Sequence, residues 1–220
     1  KKINFMKKQK IENKLLYNKH NSFVSFKGKY GGKADQVKKK INFLYNNKIG
    51  LNNLKSSFKN IVDLVLSDLN KDNKNKSSFS INENIIDEIN ILDDKQILYY
   101  LAHRYRYEIY PQSKILDDYP PYLQIEPTSI CNYRCVFCFE TDKSFTNKNS
   151  GFMGTMSYDL FRQIIDEAEG NIEFLSLASR GEPLACPDIS SMLKYTIGKF
   201  LNLKLNTNAS LLNEEKCHAI

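Results

Sequence analysis

From Val37 onward, apolar side chains recur at the three- and four-residue spacing of helices that bury one face. Val37, Ile41, Leu44 and Tyr45 form one such stripe, and Ile61, Leu64, Val65 and Leu69 a second. Ser80 and Glu83 have the spacing of a capping box and lead into Ile85, Ile86 and Ile89. A longer helix is expected from about Asp94 to Tyr110, with Ile97, Leu98, Leu101 and Tyr105 on one face and Pro111 ending it. Residues 23–33, FVSFKGKYGGK, carry Gly28, Gly31 and Gly32 as breakers and suggest a turn or hairpin. Residues 67–78, SDLNKDNKNKSS, form a polar low-complexity run with the composition of a linker, and Pro120 with Pro121 marks a second boundary.

Beyond Pro121 the pattern changes to short apolar runs separated by amphipathic stretches. Strands are expected at Tyr122–Glu126, Ile172–Ala178 and Leu201–Leu205. Ser157 is placed to cap a helix whose inner side is Leu160, Phe161, Ile164, Ile165 and Ala168, ended by Gly170. A second helix is expected near Asp188–Phe200 with Ile189, Met192, Leu193 and Thr196 inward, and a third over Leu211–Ile220. Strands alternating with helices imply βα units and a parallel sheet, hence an α/β fold.

Composition excludes some classes of function. No apolar run reaches the roughly 18 residues of a membrane span, and the first residues lack the apolar core of a signal peptide; a cytoplasmic protein is expected. The net charge of +7 conceals a split: residues 1–76 carry 19 Lys, no Arg and 5 acids, whereas the remainder is acidic on balance. A basic segment without a single arginine lacks the bidentate fork that phosphate readers use, which argues against specific nucleic-acid binding.

Three of the five cysteines fall within eight positions: Cys131-Asn-Tyr-Arg-Cys135-Val-Phe-Cys138. An odd number argues against a disulfide framework. Thiolates favour iron–sulfur clusters, zinc and Cu(I). A cluster that binds one Cys per iron would keep one iron open here. Three other readings compete, of which a plain electron-transfer cluster would need a fourth nearby Cys, which is absent. The spacing also describes one stripe of a helix, although Pro127, Thr128, Ser129 and Asn132 favour a loop. A zinc site would need a fourth ligand from Cys186, Cys217, His20, His103 or His218; otherwise Cys186 and Cys217 are incidental.

The C-x3-C-x-Φ-C pattern, with Phe137 before the last cysteine and the motif directly after the first strand, resembles the radical S-adenosylmethionine (SAM) superfamily. The resemblance implies a [4Fe-4S] cluster on Cys131, Cys135 and Cys138, with SAM on the open iron. It also implies reductive cleavage to a 5′-deoxyadenosyl radical and hydrogen abstraction from a substrate. An electron donor such as flavodoxin or ferredoxin is implied as a partner. The segment Ala178-Ser-Arg-Gly-Glu-Pro183 resembles the family's G-G-E-P element with Arg180 in place of the first glycine, which assigns Gly181, Glu182 and Pro183 to SAM. Read on its own residues, it is equally an ordinary turn. Asn206-Thr-Asn-Ala-Ser-Leu211 resembles T-N-G-x-x-L with Ala209 in place of glycine, so Asn206 or Asn208 is expected at SAM or the substrate; turn and cap use of asparagine is the alternative. Gly151-Phe-Met-Gly-Thr-Met156 resembles a G-x-M stretch of peptide-modifying, SPASM-type relatives, or is an apolar loop over the barrel mouth.

The expected organisation is therefore a basic region over 1–78, a helical connection over 79–120, and a partial (β/α) barrel of radical SAM type over 121–220, with only its first three units. Because EEKCHAI stops inside a helix, the chain is expected to be truncated within the barrel. The expected function is a radical SAM enzyme acting on a peptide, carbohydrate or nucleotide. The alternative is a catalytically incompetent iron–sulfur or zinc-binding protein.

Overall fold

In the computed structural model, residues 34–71 and 78–220 are described. The FVSFKGKYGGK stretch and the middle of the polar run lie outside them. The chain divides into two compact units, Lys1–Ala102 and His103–Ile220.

In the first unit, helices α1 (Ala34–Asn46), α2 (Ser56–Asn70) and α3 (Glu83–Ile91) precede α4 (Asp94–Ser113), which begins in this unit and ends in the next. Val37, Ile41 and Leu44 are buried as the periodicity predicts. The α2 stripe is different: Leu64 is exposed, and Phe58, Val62 and Leu66 join Ile61, Val65 and Leu69 inside. Helix α2 runs to Asn70, so the first residues of the expected linker are helical. There Asp68 is buried and accepts from the Phe79 amide (3.0 Å) and the Lys71 ammonium (2.9 Å). The cap of α3 is Asn82, whose side chain accepts from the Ile85 amide, rather than Ser80. Helix α4 continues past Pro111 to Ser113. Proline is tolerated in this last turn, and termination comes instead from Lys114 at φ 54° with the Ile115 amide bonded back to the Tyr110 carbonyl (2.9 Å).

The second unit holds a three-stranded parallel sheet in the order β1 (Tyr122–Ile125), β2 (Phe174–Leu177), β3 (Asn202–Leu205). The register pairs Tyr122 with Phe174 and Phe174 with Asn202. After a short helix α5 (Lys143–Thr146), α6 (Tyr158–Ala168) follows β1, α7 (Ile189–Tyr195) follows β2 and α8 (Glu214–Ala219) follows β3. Ser157 caps α6 through the Leu160 amide. Leu160 itself is exposed, because helix α6 turns only the Phe161, Ile165 and Ala168 face fully inward. One core lies between the sheet and these helices. Ile125, Leu175 and Leu177 are buried with Phe161, Ile165, Ile189, Met192 and Leu193, and Leu123, Leu203 and Leu205 pack against them. Cys186 belongs to this core, where burial pushes its thiol pKa up. No helix among the described residues is long and apolar enough to cross a membrane.

Candidate metal and cofactor site

Chain leaving a parallel strand at its C-terminal end is where α/β folds build sites. Here three such exits come together. The first, from β1, is the loop with the three cysteines. Its root is fixed before the first thiol. The Met156 amide donates to the Pro127 carbonyl (2.9 Å) and the Ser129 amide to the Gly154 carbonyl (2.9 Å). The Thr128 and Thr155 hydroxyls meet at 2.9 Å. The 151–156 stretch therefore serves as a short antiparallel brace for the cysteine loop.

Beyond the brace, Cys131, Cys135 and Cys138 are all free and half-buried. Arg134 donates to the carbonyls of Cys131 (2.8 Å) and Tyr133 (2.7 Å), and the Cys138 amide closes a turn on the Cys135 carbonyl (2.9 Å). Cys131 Sγ accepts from the Tyr133 amide (3.4 Å) and lies 4.0 Å from Asn208 Nδ2. Val136 and Phe137 stand at the surface, Phe137 being 90% exposed. Among the described residues, no three His, Cys, Asp or Glu side chains are drawn together at metal-holding distance. The donor set nevertheless fits an iron–sulfur cluster: three soft ligands on one surface loop, one already receiving the N–H···S contacts that such clusters use.

The exit from β2 is Ala178–Pro183. Ser179 has φ 144°, a strained backbone conformation. Arg180 forks onto Glu126 (Nη2 to Oε1 3.0 Å, Nε to Oε2 3.3 Å) and reaches the Phe152 carbonyl (3.0 Å). Burial acts to raise the Glu126 pKa, but the hydrogen bonds and charge of Arg180 outweigh it and hold the carboxyl below its ordinary value. Gly181 packs directly on the cysteine-loop root: a Cβ there would lie 1.9 Å from the Thr128 carbonyl oxygen.

Glu182 ties the exits together. Its amide donates to the Ile130 carbonyl (2.9 Å). Its carboxylate, 2% exposed, accepts from the Leu184 amide (3.0 Å), the Asn208 amide (2.7 Å) and the Thr207 hydroxyl. Pro183 is buried and starts a single 3-10 turn.

The exit from β3 carries Asn206, Thr207 and Asn208. Asn208 bonds Asn132 of the cysteine loop (3.1 Å), and Asn132 bonds Ser210 (2.8 Å). Asn206 is exposed and makes its bond through its amide, to the Leu177 carbonyl (3.2 Å). Ala209 sits at φ 61°, the left-handed region where a side chain costs about 1–2 kcal/mol. Ala209→Gly is expected to stabilise the protein by about 0.5–1 kcal/mol after the entropy of the freer unfolded chain is subtracted. A denaturant midpoint that fell instead would contradict this.

The structure thus gathers Cys131, Gly181, Glu182, Pro183 and Asn208 at one end of the sheet, and leaves Phe137 and Asn206 pointing to solvent. Sequence reasoning missed Asn132, Thr207, the Glu126–Arg180 pair and Glu140. The Glu140 carboxylate, two residues beyond Cys138, is buried with neither oxygen hydrogen-bonded. A signal existed for Thr207, which lies inside the quoted β3 motif. None existed for Glu140.

Residues 125–220 match the model of the radical SAM superfamily. Over 96 residues the chain is 33% identical to the tungsten-containing aldehyde ferredoxin oxidoreductase cofactor-modifying protein of Pyrococcus furiosus, covering 43% of this chain and 25% of that protein. Over 129 residues it is 24% identical to the antilisterial bacteriocin subtilosin biosynthesis protein AlbA of Bacillus subtilis, covering 59% of this chain and 28% of that one. Of solved structures, BtrN in complex with AdoMet and 2-DOIA aligns over 47% of this chain and 42% of its own, with 19% identity and a TM-score of 0.40. The chain therefore spans about a quarter of the length of each of these two relatives.

Proposed function

We propose, from the premise that residues 125–220 of this chain belong to the radical SAM superfamily, that Cys131, Cys135 and Cys138 hold a [4Fe-4S] cluster and that the chain contributes the cluster- and SAM-binding part of a modifying enzyme. One observation carries this reading: the loop bearing three soft donors leaves β1 at the same end of the sheet where the β2 and β3 turns are fastened to it through Glu182. When bound, the cluster and SAM supply one-electron cleavage of SAM and a 5′-deoxyadenosyl radical that takes hydrogen from the substrate. The chain's own residues hold and shield. The Tyr133 amide and Asn208 orient the Cys131 sulfur and tune its basicity. Gly181 lets the β2 turn lie against the loop, and Glu182 fixes that turn relative to Asn208. Phe137, exposed beside the thiols, and the side-chain amides of Asn206 and Asn208 are available to SAM or the substrate. A one-electron donor of the flavodoxin or ferredoxin class completes the reaction. One relative is named for modifying a cofactor and the other for bacteriocin biosynthesis, and the substrate proposed for this chain is accordingly a small molecule or a peptide.

Anaerobic reconstitution with iron and sulfide tests the reading. The protein is expected to turn brown with about four iron atoms per chain. Cys131→Ala, Cys135→Ala and Cys138→Ala should each lose them, while Cys186→Ala and Cys217→Ala keep them. Retention of one zinc per chain with no uptake of iron would establish a zinc-binding protein instead.

A further inference from the structure

Alternation along the strands gives the sheet two unlike faces. Leu123, Ile125, Leu175, Leu177, Leu203 and Leu205 enter the core beneath the helices. The residues between them face the other way. The register sets Gln124 beside Ser176 and Ser176 beside Lys204, one row straight across the sheet. Neighbouring strands lie about 4.8 Å apart, so an amide, a hydroxyl and an ammonium stand within reach of one small group. The row is a single residue short of where β1 turns towards the cysteine loop.

Among the described residues none of these three side chains has a hydrogen-bond or ion-pair partner. Ser176 is 1% exposed and its hydroxyl is unbonded. Gln124 and Lys204 are exposed, and among the described residues neither side chain makes a hydrogen bond or ion pair. Glu126, two residues on from Gln124, has its carboxylate taken by Arg180. Parallel sheets are ordinarily apolar on both faces. A polar row containing a buried, unsatisfied hydroxyl is unfavourable for folding alone, and such groups call for a bound partner.

Resting on the function proposed above, we infer that Gln124, Ser176 and Lys204 bind a carboxylate group of the substrate. All three can donate, and their common acceptor is an oxyanion. The row has one cation, which matches a carboxylate's single charge, whereas a phosphate would leave charge unmatched. Gln124 and Lys204 are exposed on either side of the buried Ser176, one residue before the strands end towards the cysteine loop, so a substrate anchored there by its carboxylate presents the rest of itself towards the cofactor.

The test is made on the full chain with its lysines reductively methylated with ¹³C, titrated with sodium acetate at ionic strength held constant with chloride. The resonance missing from Lys204→Arg identifies Lys204. It is expected to shift saturably, and Ser176→Ala and Gln124→Ala should each weaken the apparent affinity about tenfold. An unsaturable shift, or one unchanged in those variants, overturns the site. Tighter binding of inorganic phosphate than of acetate overturns the carboxylate assignment. In reconstituted protein, SAM affinity should be unaltered by Lys204→Met. A tenfold loss would give the row to SAM's own carboxylate and overturn the substrate assignment. The acetate titration needs no iron. A saturable response in protein that takes up no iron would keep the row and sink the radical SAM reading, and iron uptake without an acetate response would do the reverse.

Discussion

Glu173→Ala is expected to destabilise the unit His103–Ile220 by about 3–5 kcal/mol, because it takes the fully buried carboxylate away from a buried guanidinium. Arg106, on the last turns of α4, is 3% exposed and Glu173, just before β2, is fully buried. Nη1 of Arg106 meets both carboxylate oxygens of Glu173 at 2.7 Å and the Asn171 carbonyl at 3.2 Å. Nε reaches Asp117 at 2.6 Å and Nη2 the Tyr119 carbonyl at 2.5 Å. His103 stacks on Phe174 and brings Nδ1 to 3.6 Å from Glu173. This cluster lies at the N-terminal end of the sheet, away from the cysteine loop, where residues of such folds serve stability. The predicted loss is a large part of the about 5–15 kcal/mol that holds a typical domain together. Asp117→Ala should cost only about 1 kcal/mol, since Asp117 is partly exposed and water can replace it. Urea unfolding followed by circular dichroism would read both. Equal midpoints for wild type and Glu173→Ala would show that the pair is not a keystone.

The second large effect is expected from Gly181→Ala. The added methyl would meet the Thr128 carbonyl oxygen at 1.9 Å and the Ser129 carbonyl carbon at 2.8 Å. Both are backbone atoms, braced by Gly154 through the Ser129 amide, so no flexible side chain can give way. Either the cysteine-loop root lifts or the 179–183 turn retreats, and both movements break the bond from the Glu182 amide to the Ile130 carbonyl. Overpacking of this kind costs about 1–3 kcal/mol or more. The variant should fold less stably by about 3 kcal/mol and also retain less iron after reconstitution. Wild-type stability with full iron retention would mean that the contact is slack.

Much of this second unit was legible beforehand because burial there follows simple periods. The alternation in Leu203–Leu205 and the stripe of Phe161, Ile165 and Ala168 both reflect a single apolar layer. Legibility failed where a local signal competed with tertiary context. Pro111 is a strong helix breaker, yet α4 absorbs it in its final turn. Ser80 had the better capping spacing, but Asn82 sits at the true start of α3. Leu64 kept the period, yet the packing of α2 centres on Phe58, Val62 and Val65. At the site, the motif could place a carboxylate at position 182 but not its partners. Thr207 and Asn208 are distant in sequence and arrive beside Glu182 only through the β2–β3 register. For the same reason the Gln124–Ser176–Lys204 row could not be seen: each residue is an unremarked polar position in its own strand.

The strand order β1-β2-β3 is also the order of the chain, and this bears on how the protein is made. On a ribosome each new strand finds its neighbour already synthesised, so the sheet can grow from one edge without waiting for distant partners. The cysteines, however, emerge before the strand that secures them. Until β2 has docked, Ile130 lacks the Glu182 amide and Thr128 lacks Gly181 against it. The nascent chain therefore carries three thiols on a loop still missing one of its anchors, open to oxidation and to the wrong metal. Loading after synthesis has passed the β2 turn meets a loop whose root is held, which makes the timing of metal delivery part of the fold's logic.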